Sequence, residues 1–215
     1  MSDNALTVRI FGTVVSTYTR IVQIACEEAG LGHETIATAA HDPANRHPFG
    51  KVPVVEVDGL ELYETVAITQ YIDNAHHSSA LQPRDPIRRA RMDRWVAVAN
   101  NYLFPMFEHN LVMPYVMHRF AGYPLDRDKI ERGSPGVSRA LGFCEAEWQR
   151  DGAWRGAEPD GFDLADVFVY PILRSVQLTP QGKAGLDQCE AVSRWLAATG
   201  KRASIVATRW PGEEA

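Results

Sequence analysis

The chain has 215 residues, of which 45% are hydrophobic and 23% charged, with three cysteines and a formal net charge of −5. This composition is typical of a globular protein and excludes a disordered, collagen-like or disulfide-stabilised chain. The acidic balance argues against nucleic-acid binding, and no apolar run reaches the ~18 residues of a membrane-spanning helix. The widely spaced cysteines and the absence of a signal-peptide pattern predict a reduced, cytoplasmic protein.

The first third of the chain alternates between strand and helix patterns. The predicted elements are, in chain order, a strand ending at Gly12, a helix over 17–29, a weak strand at 35–37, a β-branched strand over 52–57, its return strand over 60–63, and a helix opening at Glu64. Asp58-Gly59 is a strong hairpin signal between the two later strands. The predicted order is therefore βαβββα.

The remainder of the chain is predicted to be helical. Residues 77–86 are rich in Ser, Pro and Asp, as linkers are. Helices are predicted over 88–120, 136–150, from about 163, and over 186–198, and Pro105 and Pro114 are expected to kink the first of them. We therefore predict an α/β domain over 1–76, a linker over 77–86 and an all-helical domain over 87–215.

Residues able to carry chemistry occur at three points of the α/β part. Ser16 lies at a strand-to-helix turn, Val52-Pro53 enters a strand, and Glu64-Thr65 opens a helix. In a βαβββα sheet these points converge at one end. Each also has a structural explanation: a helix cap for Ser16, strand entry for Pro53, and a favourable helix dipole for Glu64. Dinucleotide, phosphate-loop, zinc and nucleophile-elbow motifs are absent.

Four stretches together resemble the glutathione transferases, most closely serine-type enzymes of the phi class from plants or bacteria. They are FGTVVSTYTR at 11–20, HPFGKVP at 47–53 (Asn-Pro-x-Gly-Lys-Val-Pro in the family), ETVAITQYI at 64–72, and Asp163-Leu-Ala-Asp followed by Pro171. The resemblance covers nearly the whole chain. It implies a thioredoxin-like N-terminal domain, an all-α C-terminal domain, a homodimer, and glutathione as co-substrate without a metal.

The resemblance assigns the catalytic role to Ser16, whose hydroxyl would donate a hydrogen bond to the glutathione sulfur. Bonding the charged form in this way lowers the thiol pKa and favours the nucleophilic thiolate. Thr13, Thr17 and Tyr18 also carry hydroxyls in this loop, and we rank Ser16 ahead of them.

The resemblance also implies a set of glutathione contacts. They are the backbone of Val52 before a cis Pro53 to the cysteinyl unit, Glu64 to the α-ammonium group, Thr65 to the α-carboxylate, Lys51 to a carboxylate or the pocket wall, and His41 to the glycyl carboxylate. In the family, the segment that corresponds to 31–49 carries the residues that hold the glycyl carboxylate. This segment is shorter here than in phi-class relatives, and His41 is its one obvious candidate. His47 and Thr65 stand where the family commonly has Asn and Ser.

The second substrate is expected to be a small apolar electrophile, bound by the helical domain and the loop before Ser16. The candidate pocket residues are Val14, Tyr102, Phe104, Met106, Phe107, Tyr115 and His118, each of which has core packing as its alternative. Three functions remain open: glutathione conjugation of the detoxification type; reduction, isomerisation or dehalogenation that uses glutathione; and non-catalytic ligand or partner binding. Exchange through a protein cysteine is disfavoured, because Cys26 lies inside the first predicted helix.

Overall fold

The computed structural model describes residues 7–150 and 161–213. Its contacts divide the chain into two compact units, Met1–Arg89 with Ala203–Ala215, and Ala90–Arg202. This division differs from the expected one, which assigned every residue after 86 to the helical domain. The difference at the C-terminus has a physical cause: Glu213 forms a fully buried ion pair with Arg20, which returns the end of the chain to the first unit.

The first unit is built on a four-stranded sheet. Its elements are β1 (Thr7–Gly12), α1 (Thr17–Glu28), β2 (Gly32–Ala37), β3 (Val54–Val57), β4 (Leu60–Leu62) and α2 (Thr65–His76). The strand order is β2-β1-β3-β4, with β1 parallel to β2 and the other two pairs antiparallel. The predicted βαβββα order and thioredoxin-like arrangement are confirmed, with β2 starting earlier and β3 later than expected.

One hydrophobic core holds this sheet and its helices together. Val8 and Ile10 of β1 alternate with exposed residues and are fully buried, as the two-residue period of a strand requires. They pack with Val22 of α1 and with Ile68 and Ile72 of α2 in the same cluster. The buried residues of α2 recur every three or four positions, so this helix turns one stripe to the core, whereas α1 is buried over most of its length.

The second unit is helical. Helix α3 (Pro86–Val98) begins in the first unit and continues into the second. It is followed by a π-helical turn (Ala99–Leu103), α4 (Phe104–Phe107), a second π-helical turn (Glu108–Val112), α5 (Met113–Ala121), α6 (Arg127–Arg150), α7 (Leu164–Gln177), α8 (Pro180–Leu186) and α9 (Glu190–Thr199). Helix α10 (Ala203–Ala207) belongs to the first unit. No helix within 7–150 and 161–213 is both long enough and apolar enough to span a bilayer.

The two prolines expected to kink the long helix each follow a π-helical turn instead. Pro105 and Pro114 are the second residues of α4 and α5, directly after the turns Ala99–Leu103 and Glu108–Val112. A proline ring clashes with the carbonyl of the preceding turn and offers no N–H. A wider turn before each proline accommodates both effects, and helical structure continues through the segment.

Helix α6 begins at Arg127, nine residues before the predicted start. The low helix propensity of the sequence GSPG over 133–136 argued against helix there. Tertiary packing overrides it, because a Cβ on Gly133 would lie only 2.4 Å from the Asn110 Cβ. The glycine therefore lets α6 approach the second π-helical turn closely. Asp163 caps α7 in a capping box with Asp166.

Candidate functional site

The topology brings three segments to one edge of the sheet. Because β1 and β3 are antiparallel, the C-terminal end of β1 lies beside the N-terminal end of β3. The turn that contains Ser16 is therefore at the same edge as Val52 and Pro53. Strand β4, antiparallel to β3, also ends at this edge, two residues before Glu64.

Ser16 caps helix α1 and keeps its hydroxyl proton available. Its Oγ accepts a hydrogen bond from the Thr19 N–H at 3.2 Å, which is the capping contact expected of a serine at this position. A hydroxyl oxygen that accepts one hydrogen bond can still donate its own proton. Capping and thiol activation are therefore compatible in one side chain, which is half-buried at the start of the helix.

Gly12 explains how the end of β1 and the first turn of α1 approach so closely. A Cβ at this position would lie 2.3 Å from Thr19 Oγ1, closer than any real contact. Only glycine fits this packing, which fixes the turn carrying Ser16.

The loop before β3 is held by its own polar groups. The Val52–Pro53 peptide is cis, as the resemblance implied. The Asn45 side-chain amide donates to the Lys51 carbonyl at 2.8 Å, and the His41 N–H donates to the Gly50 carbonyl at 2.8 Å. The loop therefore brings His41 close to Lys51, and both side chains are exposed.

Glu64 and Thr65 open helix α2. Glu64 occupies the N-cap position with a φ of 68°, a left-handed conformation that is uncommon for a residue other than glycine. Its side chain is 68% exposed, whereas Thr65 is buried. An exposed carboxylate at the start of a helix, beside free N–H groups, suits a ligand that carries both an ammonium group and a carboxylate.

His47 is a neighbour of Glu64 that the sequence did not identify as functional. Its side chain is only 4% exposed, and its Nε2 lies 3.8 Å from Glu64 Oε1. Its ring packs against Tyr63 with a centroid distance of 5.2 Å. The signal in the sequence was the histidine itself, standing where the family commonly has asparagine.

Cys26 is a poor candidate for a nucleophile. It is fully buried inside α1, and burial raises its thiol pKa to about 12, with the charge of Glu27 adding in the same direction. Cys144 and Cys189 are likewise buried thiols that form no disulfide. A thiol of such high pKa is protonated at neutral pH and unreactive.

The candidate electrophile residues are distributed over different environments. Val14 is exposed in the first unit, and Phe107 is fully buried in the helical core. The Tyr115 hydroxyl donates to Gln181 Oε1 at 2.7 Å, and His118 Nδ1 lies 2.8 Å from the Tyr123 carbonyl. Phe104 is half-buried at the start of α4 and packs against the ring of His109.

Tyr102 and Met106 are brought together in a groove of ≈ 680 Å³ within the second unit. The other residues of its lining are Val98, Asn101, Leu103, Pro105, Asn110, Gly136, Arg139, Ala140 and Phe143. Phe107, Tyr115 and His118 are not part of this lining. Tyr102 and Phe143 are large and exposed, so the groove presents apolar surface to solvent.

A metal site is not found in the part of the chain that the structure describes. Within 7–150 and 161–213, no group of three or more His, Cys, Asp or Glu side chains is arranged to hold an ion.

Comparisons with known proteins point to one family. The sequence profile described as "Glutathione S-transferase, N-terminal domain" matches residues 10–80. Glutathione S-transferase F11 of Arabidopsis thaliana is 30% identical over 152 residues, which cover 70% of this chain and 69% of that protein. Glutathione S-transferase F7 of the same plant is 28% identical over 202 residues, covering 88% of this chain and 93% of the relative.

A solved structure extends the likeness to the whole fold. The glutathione S-transferase of Methylobacillus flagellatus, crystallised with GSH bound, superposes with a TM-score of 0.74 at 26% sequence identity. The superposition covers 94% of this chain and 98% of that one.

Proposed function

Because the chain belongs to the glutathione S-transferase family, we propose that it activates glutathione as a thiolate through Ser16 for attack on a small apolar electrophile. In this reaction the sulfur forms a new bond to the electrophilic carbon, and the leaving group departs with the electron pair of the bond that breaks. The thiol proton passes to solvent when the thiolate forms.

The observation that carries this proposal is the hydrogen bonding of Ser16. Its oxygen lone pair is engaged by the Thr19 N–H, so its proton remains free to bond a ligand sulfur at the N-terminus of α1. Both the hydroxyl and the helix dipole stabilise negative charge. An ordinary thiol of pKa ~8.5 is only a few per cent ionised at pH 7, and a drop of about two units makes most of it thiolate.

The rest of the tripeptide has matching partners at the same edge. The backbone of Val52, before the cis Pro53, is proposed to pair with the cysteinyl unit as an added strand. Glu64 is exposed and suits the α-ammonium group, with the Thr65 N–H at the helix start for the α-carboxylate. The neighbouring His41 and Lys51 supply polar groups for the glycyl end.

Two substitutions separate thiol activation from helix capping. Ser16→Ala removes both the cap and the proton donor, whereas Ser16→Asp keeps a capping oxygen and loses the donor. We expect both variants to raise the apparent thiol pKa in the pH–rate profile toward ~8.5 and to lower kcat/KM at pH 7 at least tenfold. Only Ser16→Ala should also destabilise the fold, by ~1 kcal/mol in urea unfolding.

Calorimetric titration with glutathione and S-hexylglutathione separates the competing functions. Glutathione binding that survives Ser16→Ala and weakens in Glu64→Ala supports the proposal. Binding without conjugation of any electrophile would leave a ligand-binding protein, and unchanged conjugation by Ser16→Ala would refute the role of Ser16.

The helical unit is proposed to supply the electrophile pocket, and the groove around Tyr102 and Met106 is the candidate. An apolar groove also suits a side chain of a second subunit, since the proposed assembly is a homodimer. Tyr102→Ala distinguishes these occupants. A changed KM for the electrophile with an unchanged molar mass supports the pocket, whereas loss of the dimer in light scattering supports the interface.

Phe49 and the arginine cluster at 88–94 are the proposed places to seek the dimer interface. Phe49 is 72% exposed at the tip of its loop, which is unusual for so large an apolar side chain. We expect Phe49→Ser to weaken self-association in sedimentation. A cytoplasmic location stays a prediction, and three buried free cysteines are compatible with a reducing compartment.

A further inference from the structure

His47 lies in the middle of the loop before β3, where backbone and side-chain contacts hold it. Its backbone N–H donates to Asn45 Oδ1 at 2.9 Å, and its carbonyl accepts from the Gly50 N–H at 2.9 Å. Its imidazole is almost completely buried and lies against the rings of Tyr63 and Phe49. The orientation of the ring is therefore fixed by packing on two sides and by the backbone.

The contacts of the two ring nitrogens define the tautomer. The Phe49 backbone N–H points at His47 Nδ1 over 3.1 Å, and an N–H group can only donate. Nδ1 must therefore carry the lone pair, so the ring proton of the neutral imidazole is on Nε2. Nε2 is the atom that faces Glu64 Oε1 at 3.8 Å.

A neutral donor in this place has a consequence for ligand binding. The contact is longer than a hydrogen bond, so the two groups are not hydrogen-bonded and the N–H dipole attracts the carboxylate only electrostatically. A lysine or arginine here would cancel the charge of Glu64, whereas the neutral imidazole leaves that charge for a ligand. The ring also packs against Tyr63, the residue directly before Glu64. The backbone of Glu64 has a left-handed φ of 68°.

We propose that His47 is a positioning residue that orients Glu64 and makes the site select ligands carrying an α-ammonium group. The proposal rests on the proposed glutathione function. If His47 positions Glu64, its replacement affects only ligands that carry the α-ammonium group. If His47 only stabilises the loop, its replacement affects ligands with and without that group equally.

Two isosteric substitutions distinguish these roles. Asparagine places its amide near the position of Nδ1, so His47→Asn retains an acceptor for the Phe49 N–H and loses the group facing Glu64. Glutamine places its amide near the position of Nε2, so His47→Gln retains a donor toward Glu64. The ligands are glutathione and glutaryl-cysteinylglycine, which is glutathione without the α-amino group.

We expect His47→Asn to raise the Kd for glutathione about 2- to 10-fold, the range of one modest polar interaction, with the Kd for the deamino analogue unchanged. His47→Gln should restore most of the discrimination between the two ligands. In turnover, His47→Asn should raise KM for glutathione and leave kcat unchanged. Glu64→Gln is the reference, since it should abolish the discrimination and make a second substitution at His47 silent.

The outcomes separate this proposal from the function on which it rests. Equal weakening of both ligands by His47→Asn, or no weakening, would overturn the positioning role while glutathione binding stands. Equal effects of His47→Asn and His47→Gln would also overturn it. A wild-type protein that binds neither ligand would refute the glutathione function, and the positioning role would fall with it.

Discussion

Glu108 is a buried carboxyl in the second π-helical turn, and its replacement tests how burial controls ionisation in this protein. It is 9% exposed, and among residues 7–150 and 161–213 its side chain has neither a hydrogen bond nor an ion pair. Burial disfavours the charged form and raises its pKa to about 7. Glu108→Gln keeps the shape and removes the ionisation.

The magnitude follows from the shift. The folded-state pKa of about 7 lies above the ordinary value of 4.5, so the folded protein holds this proton more tightly than the unfolded chain. The contribution of this raised pKa to the unfolding free energy is fully present below pH 4.5. It is lost as the pH rises through 7. At 1.36 kcal/mol per pH unit, ionisation costs the folded wild type about 3 kcal/mol above that range.

Urea unfolding of the wild type and Glu108→Gln at pH 5 and pH 8.5 measures this effect. The difference in unfolding free energy between the two proteins should change by about 2.5 kcal/mol in favour of the variant at the higher pH, because a small part of the loss has already occurred at pH 5. Glu131→Gln, on the exposed surface of α6, is the control and should leave stability unchanged at both pH values. A wild-type-to-variant difference that is the same at both pH values would refute the reasoning.

Three further predictions concern contacts in both units. Glu213→Gln leaves the buried Arg20 guanidinium without its counter-charge, so urea unfolding should show a loss of ~3–5 kcal/mol; a loss below ~1 kcal/mol would contradict this. Cys26, with a pKa of about 12, should resist a thiol reagent at pH 8 until urea unfolds the chain, and rapid labelling of the native protein would contradict its burial. Asp163→Ala breaks the capping box of α7 and should lower stability by ~1 kcal/mol, whereas Asp163→Ser, which retains a capping oxygen, should not.

The order of the elements was predictable from local signals, and the thioredoxin-like arrangement of the sheet was implied by the family resemblance. The alternation around Val8 and Ile10, the β-branched run before Asp58-Gly59, and the helix start at Thr65 each reflect a short-range period or turn preference. Strand order and direction, which the folded structure supplies, then determine that the turn with Ser16 lies at the same edge as the later segments.

The predicted start of α6 was wrong, because tertiary packing there opposes the low helix propensity of the local sequence. Helix α6 runs through GSPG because Gly133 allows close contact with Asn110, which no periodicity records. The prolines at 105 and 114 were expected to bend a helix, and the structure has a π-helical turn directly before each of the short helices that contain them. These features belong to the competition between local strain and tertiary contact.

The sequence by itself determined the order of elements, the cap at Ser16 and the family motifs, because each depends on residues close together in the chain. Only the tertiary structure decided which distant groups meet. Arg20 and Glu213 are 193 positions apart, and no local pattern links them. The packing of the His47 imidazole toward Glu64 is likewise a product of the folded loop. Its tautomer is set by the backbone N–H of Phe49. Almost every residue has such a group, and only the folded loop determines which acceptor it faces.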